Sequence, residues 1–131
     1  MEDCIFCKIV SKEIPSEVIY ENKGAIAFLD IEPLSEGHTL IVPKKHFERS
    51  HEMDSESWLD VSDALEMVSK KIVSVLGVRN YNILQNNGKD AGQEVMHVHF
   101  HIIPKNKEKG LEIKWKSQKQ DIKSTAKLLT E

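Results

Sequence analysis

Long apolar runs are missing from this sequence: no stretch approaches the roughly 18 apolar residues that a membrane-spanning helix requires. Met1-Glu2-Asp3 carries acid where a secretory signal would carry a basic flank, so the expected location is the cytoplasm, with no membrane association. A cationic excess is missing too. With 18 Lys and Arg against 21 Asp and Glu, the net charge of −3 argues against a general nucleic-acid binder, because such proteins neutralise many phosphates at once. The eight Lys between Lys105 and Lys127, set against Glu108, Glu112 and Asp121, read as a solvated face. Only two cysteines are present, too few for a disulfide-stapled scaffold. Internal repeats are absent, and no composition break divides the chain.

What remains is an ordinary globular composition, 40% apolar and 30% charged over 131 residues. A domain of that size buries roughly 65 to 70% of its unfolded surface and needs no metal to fold. Val18-Ile19-Tyr20 and Ala25-Ile26-Ala27-Phe28-Leu29 are β-prone runs joined by Glu21-Asn22-Lys23-Gly24, a hairpin signature. A third strand runs from His38 to Val42 and stops at Pro43. Between Asp54 and Leu76 the period becomes helical through Leu59, Leu65, Val68, Ile72, Val75 and Leu76, with Asp54 or Ser55 as N-cap and Gly77 as terminator. Tyr81 to Gln85 and His97 to Ile103 are further strands, the latter ended by Pro104, and Gln118 to Leu129 can form a last short helix. The expectation is a single α+β domain over residues 1–131: an antiparallel sheet of about five strands, one long helix on one face and a short C-terminal helix.

In His97-Val98-His99-Phe100-His101-Ile102-Ile103 the histidines alternate with apolar residues, so all three share one face of the strand while Val98, Phe100 and Ile102 take the core face. Half of the chain's six histidines fall within these five positions. Imidazole titrates near neutrality, is nucleophilic when neutral, and is held in one tautomer by a partner on its second nitrogen. Same-face neighbours lie roughly 6.6 to 7 Å apart, within reach of a shared substrate. His99, in the middle, is the natural nucleophile. A three-histidine zinc site is the competing use, but three successive positions on a straight strand do not converge easily on one ion. Cys4 and Cys7 form a C-x-x-C pair, which in a reducing compartment reads as metal ligands or a redox pair.

The strand resembles the signature of the histidine-triad (HIT) family, His-φ-His-φ-His-φ-φ with φ apolar, at every position from His97 to Ile103. Ile5-Phe6-Cys7-Lys8-Ile9-Val10, Phe28-Leu29-Asp30-Ile31, the block from Gly37 to His46 and Ala91-Gly92-Gln93-Glu94-Val95 look like the family's other blocks, in order. The likeness covers about residues 4 to 104, leaving 105–131 as an extension, and is nearest to the Hint-like bacterial branch. It implies a HIT-like fold and hydrolysis or transfer at the α-phosphorus of a nucleoside phosphoramidate or dinucleoside polyphosphate, through a nucleotidyl-histidine that water resolves to a nucleoside monophosphate.

By position the resemblance makes His99 the nucleophile, its second nitrogen held by the Val98 carbonyl or a similar acceptor. It puts His101 and His38 in the phosphate site, Asp30 on the ribose, and Asn86, Gly92, Gln93 and Val95 around phosphate. Without it, Asp30 would read as a turn-capping residue before Ile31-Glu32-Pro33. Several eukaryotic members carry Ser or Thr where this chain has Glu94, whose carboxylate would repel phosphate or face away. Some bacterial members hold structural zinc on residues matching Cys4, Cys7, His46 and His97, no metal being required for catalysis. The resemblance also implies a purine nucleotide as ligand and a homodimer built through the long helix and an adjoining strand. An alternative function is a nucleotide-binding, zinc-stabilised interaction module with little turnover; a histidine at position 99 favours the enzyme, because binding alone would be served by Arg or Lys.

Overall fold

The computed structural model describes residues 3–131. Its centre is a five-stranded antiparallel sheet of β1 (Val18–Glu21), β2 (Ala25–Leu29), β3 (Thr39–Pro43), β4 (Asn80–Gln85) and β5 (Phe100–Lys105), in the spatial order β1-β2-β3-β5-β4. The β1–β2 turn is built by Asn22, whose side-chain oxygen accepts the N–H groups of Gly24 and Ala25 while its amide donates to the Asp60 carbonyl. A β-carbon at Gly24 would displace the Asp60 carboxylate, which lies over the turn. The short hairpin is thereby tied to the long helix.

That helix, α2 (Ser55–Leu76), starts on Asp54, whose carboxylate accepts the Ser57 N–H at 2.7 Å, and ends on Gly77 in the left-handed conformation. Its buried stripe is Val61, Ala64, Val68 and Ile72, packed on Ala25, Ala27, Ile41, Val98, Phe100 and Ile102. Leu59 and Val75, expected on that stripe, are exposed instead. The small Val61 and Ala64 meet the alanines of β2, and larger side chains would hold the helix away from the sheet.

The opposite face of β2 and β3 is also covered, by α1 (Ile5–Val10), a helix that periodicity does not reveal because six residues make fewer than two turns. Phe6 and Ile9 of α1 pack on Ile26, Phe28, Leu40 and Val42. The alternation along β2 thus sends alanines to α2 and Ile26 and Phe28 to α1. No helix among the described residues is long and apolar enough to cross a membrane.

The triad strand departs from expectation at both ends. The ladder begins at Phe100, because the Val98 N–H donates to the Phe47 carbonyl and the His97 carbonyl is taken by a side chain. It also continues through Pro104, opposite Tyr81, beyond the last β3 pairing at Thr39 and Ile102. On that open side the Ser35 hydroxyl meets the Pro104 carbonyl at 2.6 Å, so the missing proline N–H leaves no strand partner unpaired. Segment 111–121 is irregular, and α3 (Ile122–Thr130) buries none of its residues. Ile102→Ala, a truncation between sheet and helix, is expected to lower the unfolding free energy by about 2–5 kcal/mol, whereas Leu129→Ala on α3 should change it by less than about 0.5 kcal/mol; urea denaturation followed by circular dichroism measures both.

Candidate active site

The three triad histidines share one face, as alternation requires, but they serve two different clusters. His97 is completely buried. Its Nε2–H donates to the Pro43 carbonyl at 2.8 Å, which leaves the Nδ1 lone pair facing sulfur: Cys4 Sγ at 3.4 Å and Cys7 Sγ at 3.6 Å. His46 Nδ1 lies 3.4 Å from Cys7 Sγ. Cys4 caps α1 through its sulfur, which accepts the Cys7 N–H, so the helix turn itself brings the two thiols together. The four ligand atoms lie within 4.8 Å of one another and can hold a metal ion. Tetrahedral zinc with bonds of roughly 2.3 Å to sulfur and 2.0–2.1 Å to nitrogen brings sulfur and nitrogen to about 3.5 Å, the separation these residues already have.

His99 and His101 face a cavity of about 430 Å³ between α1, the loop after β2 and the loop ahead of β5. Its apolar wall is made by Phe6, Ile9, Phe28 and Leu40, and its remaining lining includes Asp30, His38, His99, His101, Glu94 and Val95. His99 is held in one tautomer, because its Nδ1–H donates to the His97 carbonyl at 2.8 Å. The acceptor is two residues back, one residue earlier than the Val98 carbonyl expected from sequence. Phe6 packs edge-on against the His99 ring at 5.0 Å between centroids. The Nε2 atom of a neutral His99 therefore carries a free lone pair.

Residues 11–108 match the model of the HIT domain. The chain belongs to the HIT family. The adenosine 5'-monophosphoramidase HNT1 of Saccharomyces cerevisiae is 48% identical to it over 126 residues, which span 95% of this chain and 77% of that protein. Among solved structures, a hypothetical protein from Leishmania major superposes with a TM-score of 0.91 at 44% identity, covering 98% of this chain and 92% of that one. A zinc-bound histidine triad family protein from Mycobacterium smegmatis superposes with a TM-score of 0.75 at 33% identity, covering 81% and 77%.

Within this HIT domain the protons of the second histidine pair follow from their partners. The Leu34 N–H donates to His38 Nδ1 at 3.0 Å, so a neutral His38 carries its proton on Nε2. That proton faces His101 Nδ1 at 3.0 Å, with the Asp30 carboxylate further off at 3.5 Å. His101 accepts on Nδ1 and keeps its own proton on Nε2. Asp30, His38 and His101 are close enough to suggest a second metal cage. The Leu34 N–H argues against it, since a metal on His38 Nε2 would force a proton onto Nδ1, donor against donor. The cluster is a hydrogen-bond relay.

Burial holds all of these rings neutral. Desolvation lowers the pKa of His99 against opposing pulls from the His97 carbonyl and the Asp30 and Glu94 charges, and it lowers His38 against Asp30. His101 is pushed down to about 4, by burial first and then by its two histidine neighbours. Asp30 both caps the turn, its Oδ1 accepting the Glu32 N–H at 2.9 Å, and faces the cavity. Asn86, Gly92 and Gln93 do not line the cavity. The Gln93 side chain is buried, accepting from the Gly88 N–H and donating to the Glu48 and Val95 carbonyls. Gly92 has a φ of +96°, and a β-carbon there would crowd the Asn86 amide, which donates to the Gly92 carbonyl. These three residues shape the loop that brings Glu94 and Val95 to the cavity mouth. Phe6 and Ile9 went unassigned in sequence; their spacing of three behind a helix-capping Cys4 was the available signal.

With a folded pKa of about 4 against the ordinary 6.5, His101 resists the proton that the unfolded chain accepts. Its contribution to stability is complete above pH 6.5 and is lost progressively as pH falls to about 4. Thermal denaturation from pH 7.5 to 4 should therefore show a falling Tm in the wild type and a shallower fall in His101→Gln. Equal slopes would place the His101 titration in the ordinary range.

Proposed function

We propose that this HIT protein is a nucleotide hydrolase or transferase acting at the α-phosphorus of nucleoside phosphoramidates or dinucleoside polyphosphates. The observation that carries the reading is the tautomer of His99: a buried, neutral imidazole whose Nδ1–H is tied to the His97 carbonyl and whose Nε2 lone pair opens on a nucleotide-sized cavity. The nucleoside lies with its base against Phe6, Ile9, Phe28 and Leu40, and Asp30 accepts from the ribose hydroxyls. A purine, with its large flat ring, suits that apolar slot. The family relationship to a yeast adenosine 5'-monophosphoramidase supports the same chemistry.

In the first step His99 Nε2 attacks the α-phosphorus, the bond to the leaving group breaks, and the departing atom takes a proton from solvent at the cavity mouth. His101, through its Nε2–H, bonds a phosphate oxygen and stabilises the charge that gathers there. His38 keeps His101 in that tautomer and is a positioning residue. In the second step water attacks the nucleotidyl-histidine, its proton passes to solvent, and a nucleoside monophosphate leaves with His99 restored. Val95 and the loop shaped by Asn86, Gly92 and Gln93 supply the phosphate surroundings.

Cys4, Cys7, His46 and His97 hold zinc in this proposal. The mixed thiolate–imidazole donor set and the sulfur–nitrogen separations near 3.5 Å suit that ion. Zinc there is structural, joining α1 to the end of β3 and to the residue whose carbonyl orients His99. The assembly is a homodimer in the cytoplasm: β4 is an open sheet edge with exposed Tyr81 and Ile83, and Leu59 of α2 is exposed too.

His99→Ala should lower turnover of an adenosine phosphoramidate by about 10³-fold or more while leaving the Kd for AMP within about threefold. Intact-protein mass spectrometry after rapid quenching should find an added adenylyl mass on wild type alone; turnover that survives the substitution would refute His99 as nucleophile, and AMP binding with neither adduct nor turnover in wild type would favour a binding module. Native mass spectrometry should count one zinc per chain, lost in Cys7→Ser, and a strong chelator should lower the wild-type Tm.

A further inference from the structure

The cavity that receives the nucleotide in the proposed function has an unusual charge for a phosphate site. Its charged lining residues are Asp30, Glu32 and Glu94, with no Lys or Arg among them. The imidazoles that face it are each tied to one tautomer, His38 by the Leu34 N–H, His101 by His38 and His99 by the His97 carbonyl. The mouth is therefore anionic, and among the described lining residues the compensation for phosphate charge comes from hydrogen-bond donors. A nucleoside phosphoramidate brings one negative charge into this field, whereas a dinucleoside polyphosphate brings several.

Glu94 is the carboxylate at the reacting end. It lines the cavity beside Val95, His99 and His101. It is exposed, so it meets whatever projects from the phosphorus toward solvent. Its backbone is held from both sides by the buried Gln93 amide, which bonds the Gly88 N–H at 2.7 Å, the Glu48 carbonyl at 2.7 Å and the Val95 carbonyl at 3.1 Å. Asp30 is committed to the turn and to the His38 side of the cavity, and Glu32 belongs to that same turn through its N–H to Asp30, which leaves Glu94 as the carboxylate on the Val95 side.

We propose that Glu94 selects the leaving group by charge, favouring phosphoramidates of amines that carry a second, cationic ammonium group and disfavouring polyphosphates. The proposal rests on the reading that the α-phosphorus lies at His99. With such a substrate the phosphate's single negative charge and the ammonium cancel, and the ammonium lies against a carboxylate that has no cationic partner within the cavity. Attack by His99 then breaks the P–N bond, and the departing nitrogen takes a proton from solvent while the distal ammonium stays beside Glu94.

The test compares kcat/KM for three adenosine 5'-phosphoramidates whose amines have equal length and end in a methyl, an ammonium or a carboxylate group, together with diadenosine tetraphosphate. Ratios between wild type, Glu94→Gln and Glu94→Lys cancel the intrinsic reactivity of each leaving group. Glu94→Gln should reduce the preference for the ammonium substrate over the methyl one by about fivefold, leave the methyl substrate within about twofold, and raise the two anionic substrates. Glu94→Lys should invert the order, and high salt should flatten the wild-type preference, as screening demands. A preference for the ammonium substrate that survives both substitutions overturns the proposal. If wild type cleaves none of the four compounds, the reaction assigned to His99 fails; the charge preference is then read in their Kd values, and equal rankings in wild type and Glu94→Lys overturn it separately.

Discussion

One hydrogen bond, from the Nδ1–H of His99 to the carbonyl of His97, sets the chemistry available to this protein. It forces the His99 proton away from the cavity and leaves the lone pair facing it. The acceptor is itself immobilised, because the His97 ring donates to the Pro43 carbonyl and faces the Cys4 and Cys7 sulfurs with its other nitrogen. The carbonyl that orients the His99 ring thus belongs to the residue that joins α1, the end of β3 and the lead-in to β5. A loose His97 would free the His99 ring to change tautomer or rotate. Two tasks meet in one residue: its side chain faces the sulfurs and its backbone carbonyl holds the His99 ring.

A second line of partners performs the same service for His101. The Leu34 N–H fixes His38, His38 fixes His101, and His101 keeps its Nε2–H for the cavity. Both lines end on a main-chain group, so neither depends on a mobile side chain for its direction. Burial supplies the rest, since desolvation keeps the rings neutral, and a neutral imidazole is at once a usable nucleophile and a usable donor. The described lining of that cavity offers acidic and imidazole groups with no Lys or Arg among them.

Much of this was legible in the residues. The alternation from His97 to Ile103 separates a chemical face from a core face, and Val98, Phe100 and Ile102 do lie against α2. Asp54 and Gly77 bound the long helix as their capping chemistry dictates. Other features were not legible for physical reasons. Leu59 and Val75 have helical spacing yet point to solvent, because the stripe that faces the sheet is chosen by where Val61 and Ala64 permit close approach. The six-residue α1 has too few turns to show a period. Gln93 read as a phosphate neighbour, whereas its amide is consumed inside the loop; a sequence position near a site does not say which way a side chain turns.

The sequence by itself determined the residue types, the two-residue period that aligns three histidines, the capping signals and the C-x-x-C pair, since these depend only on local backbone geometry and side-chain chemistry. Tertiary structure alone decided which histidine does what. His97 is drawn to the cysteines by α1, His99 is bound to a carbonyl two residues back, and His101 is held by His38 from β3's lead-in. Tautomer, protonation and access to the cavity are properties of the groups facing each ring, and those groups are brought there from up to 93 positions away in the chain.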